Sequence, residues 1–283
     1  MGDIPQSVAL KFARAGEHRK ALNDAIKAFL RTNPYGARRE VEQNGYEHAF
    51  YWTNYQECPD NFGLIAGDAI HNLRSSLDHL AVALAIEGAK SAGKQLSWSD
   101  LRELQYPIFT EEPENFSEQV LKRRLRDVVP GAVAVIESFQ PFKAHPEAPD
   151  HSPLAMLRFL DNSDKHSVLT TSAMAPVIEK ILWDPEASAA RIDHPKDLHN
   201  DEGAEIGRFI FDSPRRAEDL SVDYRWQFVL MQGPMWSLID IREVIRRFDH
   251  EVRRIAWRLS LEFMPPFGDT PTPLDDSLEP EAF

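Results

Sequence analysis

The stretch Gly67-Asp-Ala-Ile-His-Asn-Leu-Arg-Ser-Ser-Leu-Asp-His-Leu80 constrains this chain more than any other, because it sets two His, two Asp, an Asn and an Arg into a strong helical pattern. At about 100° per residue, Ile70, Leu73, Leu77, Leu80, Ala81 and Leu84 share one apolar arc, and Asp68, Asn72, Ser75 and His79 line the opposite side. His71 and Asp78 flank the apolar stripe, and Arg74 lies at its edge. An amphipathic helix normally turns Lys and Glu to water, yet neither type occurs between Gly67 and Ile86. Short polar side chains at this density point to a site or to a buried polar network. The spacing predicts a helix from about Leu64 to Glu87, closing at Gly88.

A second dense cluster, Asp161-Asn-Ser-Asp-Lys-His166, follows a helix predicted over 154–160 with Pro153 in its first turn. Its plain explanation is a helix terminus, stopped by Asn162 and Ser163, with Lys165 and His166 answering the carbonyl end. Two polar clusters that each need partners are expected to lie near one another.

The rest of the chain reads as a mainly α protein. Val8, Phe12, Ala15, Leu22, Ile26 and Phe29 space a long first helix that ends at Asn33-Pro34. Its polar face is basic through Lys11, Arg14, Arg19, Lys20, Lys27 and Arg31. Aromatic residues between 35 and 62 suggest short strands or irregular packing. Tyr106-Pro-Ile-Phe109 reads as extended, residues 118–127 as a basic helix ended by Pro130-Gly131, and residues 132–139 as another short helix. After His166 the period changes to that of strands separated by Asp, Pro, Asn and Gly turns. A last helix, from Met235 to about Phe263, carries Arg242, Arg246, Arg247, Arg253, Arg254 and Arg258. The expected organisation is a helical bundle over 1–166, a small antiparallel β insertion over 167–232, a C-terminal helix over 233–264 completing the bundle, and an acidic, Pro-rich, disordered tail over 265–283.

With 283 residues and 42% hydrophobic content the chain can bury a full core. The lone Cys58 excludes an internal disulfide and a Cys-based zinc site, which fits a reducing cytoplasm. No apolar run approaches the roughly 20 residues that span a bilayer, and the first residues do not resemble a signal peptide, so a cytoplasmic protein is expected. A net charge of −13 argues against general duplex DNA binding, which leans on phosphate neutralisation by Lys and Arg.

The segment Arg74-Ser-Ser-Leu-Asp-His79 resembles the Arg, four to six residues, His signature of the HEPN superfamily. The longer phrases GDAIHNLRSSLDHL and LDNSDKH are similar to those of a group of bacterial and phage-encoded proteins without an assigned function. The resemblance implies a HEPN-like helical bundle, a homodimer and a metal-independent endoribonuclease of defence or toxin type, needing no cofactor. Arg74 and His79 would then be catalytic on an RNA substrate, with Asp68, His71, Asn72, Asp78, Asp161, Asn162, Asp164, Lys165 and His166 in support. On one regular helix, however, Arg74 and His79 point about 140° apart, so a twofold copy of the helix is expected to complete the site. The basic faces of the first and last helices would flank it.

Two other readings fit the same residues. All six polar groups can form a satisfied network inside a non-enzymatic binding or dimerisation protein, with Arg74 and Asp78 as an i,i+4 ion pair. Alternatively, Asp68, His71, Asn72 and His79 can join Asp161, Asp164 or His166 as ligands of a metal-dependent hydrolase. No Gly-rich phosphate loop or nucleophile elbow is present.

Overall fold

Apolar spacing and proline placement build eight α-helices among the residues that the computed structural model describes, which are 4–165, 169, 171–183, 191–193, 202–216, 220–231 and 239–264. Helix α1 (Gln6–Leu30) buries Val8, Phe12, Ala15, Leu22 and Ile26 and stops before Asn33, whose φ of 52° leaves the helical region. Helix α2 (Asn61–Ser91) carries the polar stripe and buries Ile70, Leu73, Leu77, Leu80, Ala81 and Leu84 completely. It is longer than the sequence spacing suggests. Gly88 does not close it but lies inside it, where a Cβ would collide with the carbonyl oxygen of Asp127. Glycine is needed there for close approach of a second segment.

Three short helices follow, α3 (Trp98–Glu103), α4 (Phe116–Leu121) and α5 (Pro130–Ser138). Ser97 and Asp100 form a capping box at the start of α3. The basic helix expected over 118–127 is shorter, giving way to turns that end at Asp127 with φ 61°. Pro130 opens α5 instead of ending its predecessor, because a missing N–H costs nothing in a first turn. Helices α6 (Pro141–Ala144) and α7 (Pro153–Asp164) come next. Asn162 and Ser163 do not stop α7, which runs on to Asp164. Helix α8 (Ile241–Phe263) buries Ile241, Ile245, Phe248, Val252, Ile255 and Leu259, the stripe read from the sequence.

The strands are β1 (Tyr35–Glu42), β2 (Glu47–Tyr55), β3 (Thr171–Trp183), β4 (Arg191–Asp193), β5 (Glu205–Ile210) and β6 (Leu220–Leu230). They form an antiparallel sheet in the order β1-β2-β5-β4 and a separate antiparallel pair, β3-β6. The later strands therefore do not close on themselves. β5 pairs with β2 of the early hairpin, His48 facing Phe209 and Phe50 facing Gly207. Phe50 and Phe209 meet edge to face with centroids 5.4 Å apart, an aromatic contact that favours this neighbour.

The chain divides into two compact units. One is built from the described residues up to Ala15, Ile70–Asp161 and those from Arg247 onward; it is wholly helical apart from connecting loops. The other, Gly16–Ala69 with Asn162–Arg246, holds every strand found among the described residues. Its core is aromatic: Phe29 and Phe228 each pack edge to face on Phe62, at centroid distances of 5.7 and 5.5 Å. No helix among the described residues is long and apolar enough to cross a membrane.

Candidate functional site

Within the helical unit, Tyr106-Pro-Ile-Phe109 is extended, as a residue preceding proline prefers, but it joins no sheet. Tyr106 and Ile108 are buried. Buried backbone N–H and C=O groups need partners, and here side chains provide them. Arg74 donates through Nη2 to the Tyr106 carbonyl (3.0 Å) and through Nη1 to Asp78 Oδ1 (2.7 Å), and the Tyr106 N–H donates to the same Asp78 oxygen (2.9 Å). Gln140, fully buried, donates to the Pro107 carbonyl (3.0 Å) and accepts from the Phe109 N–H (2.9 Å). Arg158 donates to the Ile108 carbonyl at 2.7 Å. Arg74 and Asp78 thus give an extended segment what a neighbouring strand would otherwise supply.

This assigns the central arginine of the polar helix a concrete environment. Its side chain is only 7% exposed, and both terminal nitrogens are engaged. Burial pushes the Asp78 carboxyl above its usual range, opposed by the Arg74 charge and the Tyr106 N–H.

His71 is held differently. Its Nδ1 lies 2.9 Å from Asp161 Oδ1, the imidazole being 52% exposed and the carboxylate 3%. With the proton on Nδ1, a buried carboxylate fixes the ring and leaves Nε2 turned outward as an acceptor, an arrangement able to take a proton from a ligand. This pair brings the first residue of the second cluster onto the polar helix.

The remaining predicted residues are distributed. Lys11 donates to Asn72 Oδ1 at 3.5 Å. His79 is half-buried and lines a cleft of about 300 Å³ with Val82, Ile86, Trp98 and Arg102. Burial holds its pKa below the usual histidine value, the Lys11 charge adding to the effect and Asp78 opposing it. In the strand-bearing unit, Asp68 is exposed and 3.7 Å from His18 Nδ1, and the Asp164 carboxylate lies against Gly67, in space that any Cβ would take. Asn162 and Lys165 are exposed. His166 lies outside the described residues, as does the tail over 265–283.

The basic face expected along α8 is largely neutralised within the helix. Arg246 pairs with Glu243, Arg253 with Asp249, Arg254 with Glu251 and Arg258 with Glu262, and Arg242 pairs with Asp240 just ahead of it. Three or four residues apart is the spacing at which helix neighbours meet. Among the described residues no group of three His, Cys, Asp or Glu side chains is arranged to hold a metal ion.

Sequence reasoning missed Gln140 and Arg158, neither of which belongs to a dense polar cluster. Their partners lie 31–33 and 50 residues away, and no local period encodes that separation. No protein-family model, curated protein or solved structure matches the chain.

Proposed function

We propose that this chain is a non-enzymatic binding protein in which the polar stripe of α2 is chiefly structural. One observation carries the reading: the Arg74 guanidinium is buried, with its terminal nitrogens spent on Asp78 and the Tyr106 carbonyl. RNA cleavage through Arg74 and His79 would require the cation to leave this clasp, stripping the donor from the buried Tyr106 carbonyl and the partner from Asp78, whose side chain is 32% exposed, at a cost of about 1–3 kcal/mol. Incubation of the purified protein with a mixed RNA pool, with and without excess chelator, tests the reading. No cutting is expected in either condition, and Arg74→Ala is expected to lower stability.

A second reading rests on the exposed imidazole of His71 and its buried partner Asp161. In this alternative, His71 is the general base of a metal-independent ribonuclease, and a HEPN-like homodimer supplies the cation from its twofold copy. Cutting that survives chelator and falls 100-fold or more in His71→Ala, the order expected for a general base, would transfer the assignment to it. Light scattering then separates the versions: a monomer that still cuts RNA would remove the need for a composite site.

A further inference from the structure

Next to the clasp, the helical unit contains a polar cleft of about 460 Å³ that includes Arg102, Arg123, Arg124, Asp78 and Glu103 in its lining. Among the described residues, neither Arg102 nor Arg123 is drawn into an ion pair or side-chain hydrogen bond, and Arg124 is placed over the Phe109 ring, 5.4 Å from its centroid. The Asp78 charge is already met by Arg74. The lining thus draws on three arginines against one unmatched acidic residue, Glu103. The net excess of two positive charges suits a doubly charged anion.

Arg102 also lines the adjoining cleft of about 300 Å³, whose other walls include Val82, Ile86, Trp98 and Leu101. Trp98 is 76% exposed and Ile86 43%, a large amount of apolar surface to leave to water beside a cation. An apolar cavity of about 150 Å³ holds a benzene ring, so the space admits a one- or two-ring body. Convergence of apolar walls with a few placed polar groups is the usual make-up of a small-molecule site.

We propose that these two clefts, joined at Arg102, form one binding site for a small phosphate monoester with an apolar ring: the phosphate is held by Arg102, Arg123 and Arg124, and the ring by Trp98, Ile86 and Val82. Guanidinium forks match phosphate oxygens in geometry as well as in charge. The aromatic wall accepts the flat body. The proposal rests on the binding-protein reading, because Asp78 leaves the cleft's charge balance only while Arg74 holds it.

Calorimetric titration of the full chain with phenyl phosphate, inorganic phosphate and benzyl alcohol tests the site. Phenyl phosphate is expected to saturate, at least tenfold more tightly than either fragment. Arg102→Ala is expected to weaken phenyl phosphate and inorganic phosphate alike by about tenfold, on the scale of one charge-assisted contact. Trp98→Ala should weaken phenyl phosphate only. Both side chains are exposed, so circular dichroism and melting curves of the variants should match the parent. Absence of saturable heat at millimolar phenyl phosphate, or binding unchanged in Arg102→Ala with Arg123→Ala, would overturn the proposal. Failure of the binding-protein reading shows instead as RNA cleavage, a separate measurement.

Discussion

Two extended segments, one in each unit, solve the same physical problem in opposite ways. Strand β2 buries Ala49, Phe50 and Trp52, and its backbone is paired on both sides by β1 and β5. Tyr106, Pro107 and Ile108 are buried just as deeply, but the backbone of Tyr106–Phe109 is met by Arg74, Asp78, Gln140 and Arg158. In the first case the sequence needs only side chains that suit a pleated surface; in the second it needs four particular polar residues at particular places. A fold maintained by main chain tolerates side-chain change, whereas one maintained by side chains does not.

The sharpest way to break this contrast is at Arg74. Arg74→Ala leaves the partly exposed Asp78 without its cation and the buried Tyr106 carbonyl without a donor, so a loss of about 3 kcal/mol is expected in urea unfolding. The double change Arg74→Met with Asp78→Leu sharpens it. An ordinary buried ion pair replaced by apolar residues of similar size is often neutral, but here the Tyr106 N–H and C=O stay unpaired. The double variant should therefore remain about 2 kcal/mol or more below the parent. A double variant as stable as the parent would show that the pair does nothing for the extended segment.

Gln140→Ala comes next. It removes the partners of the Phe109 N–H and the Pro107 carbonyl, and about 2–3 kcal/mol should disappear. The matching change in the sheet is Arg208→Ala. Arg208 touches Glu42, Glu47 and Glu205 and so has a more crowded polar setting than Gln140, yet it holds no strand backbone. Its loss should cost only about 1 kcal/mol, the upper end for partly exposed pairs, and the difference from the parent should shrink in high salt. A larger penalty than that of Gln140→Ala would reverse the comparison.

The smallest expected effect depends on pH. Because burial depresses the His79 pKa, the unfolded chain binds a proton at a pH where the folded chain still refuses it. The associated stability is present above the ordinary histidine range and is lost as pH falls towards the depressed value. Between about pH 7 and about pH 5, around the ordinary histidine pKa, the parent should lose more stability than His79→Gln. Asp78 has the opposite sign: its pKa is raised, so its contribution is present in acid and fades as pH rises out of the ordinary carboxylate range. Equal slopes for parent and variant would remove burial of His79 from the account.

The same contrast explains what could be read from the sequence. The apolar stripes of α1, α2 and α8 and the aromatic-rich β1-β2 region follow from local period and residue type, because burial on one face imposes both. Helix ends were less legible: Gly88, Asn162 and Ser163 look like stops, but close packing at Gly88 and continued helix to Asp164 override that preference. At the candidate site, the Arg74–Asp78 pair follows from i,i+4 spacing. Its third member, the Tyr106 backbone, does not, since any residue supplies a carbonyl. A motif that resembles chemistry in one dimension is thereby compatible with carpentry in three.

Helices α1, α2, α7 and α8 each give residues to both units, which are consequently interleaved along the chain. On a ribosome this has a temporal meaning. The strand-bearing unit lacks its last piece until Arg246 has been made, and the helical unit lacks the rest of α8 until the residues after it emerge. No single cut in the gene separates one from the other intact.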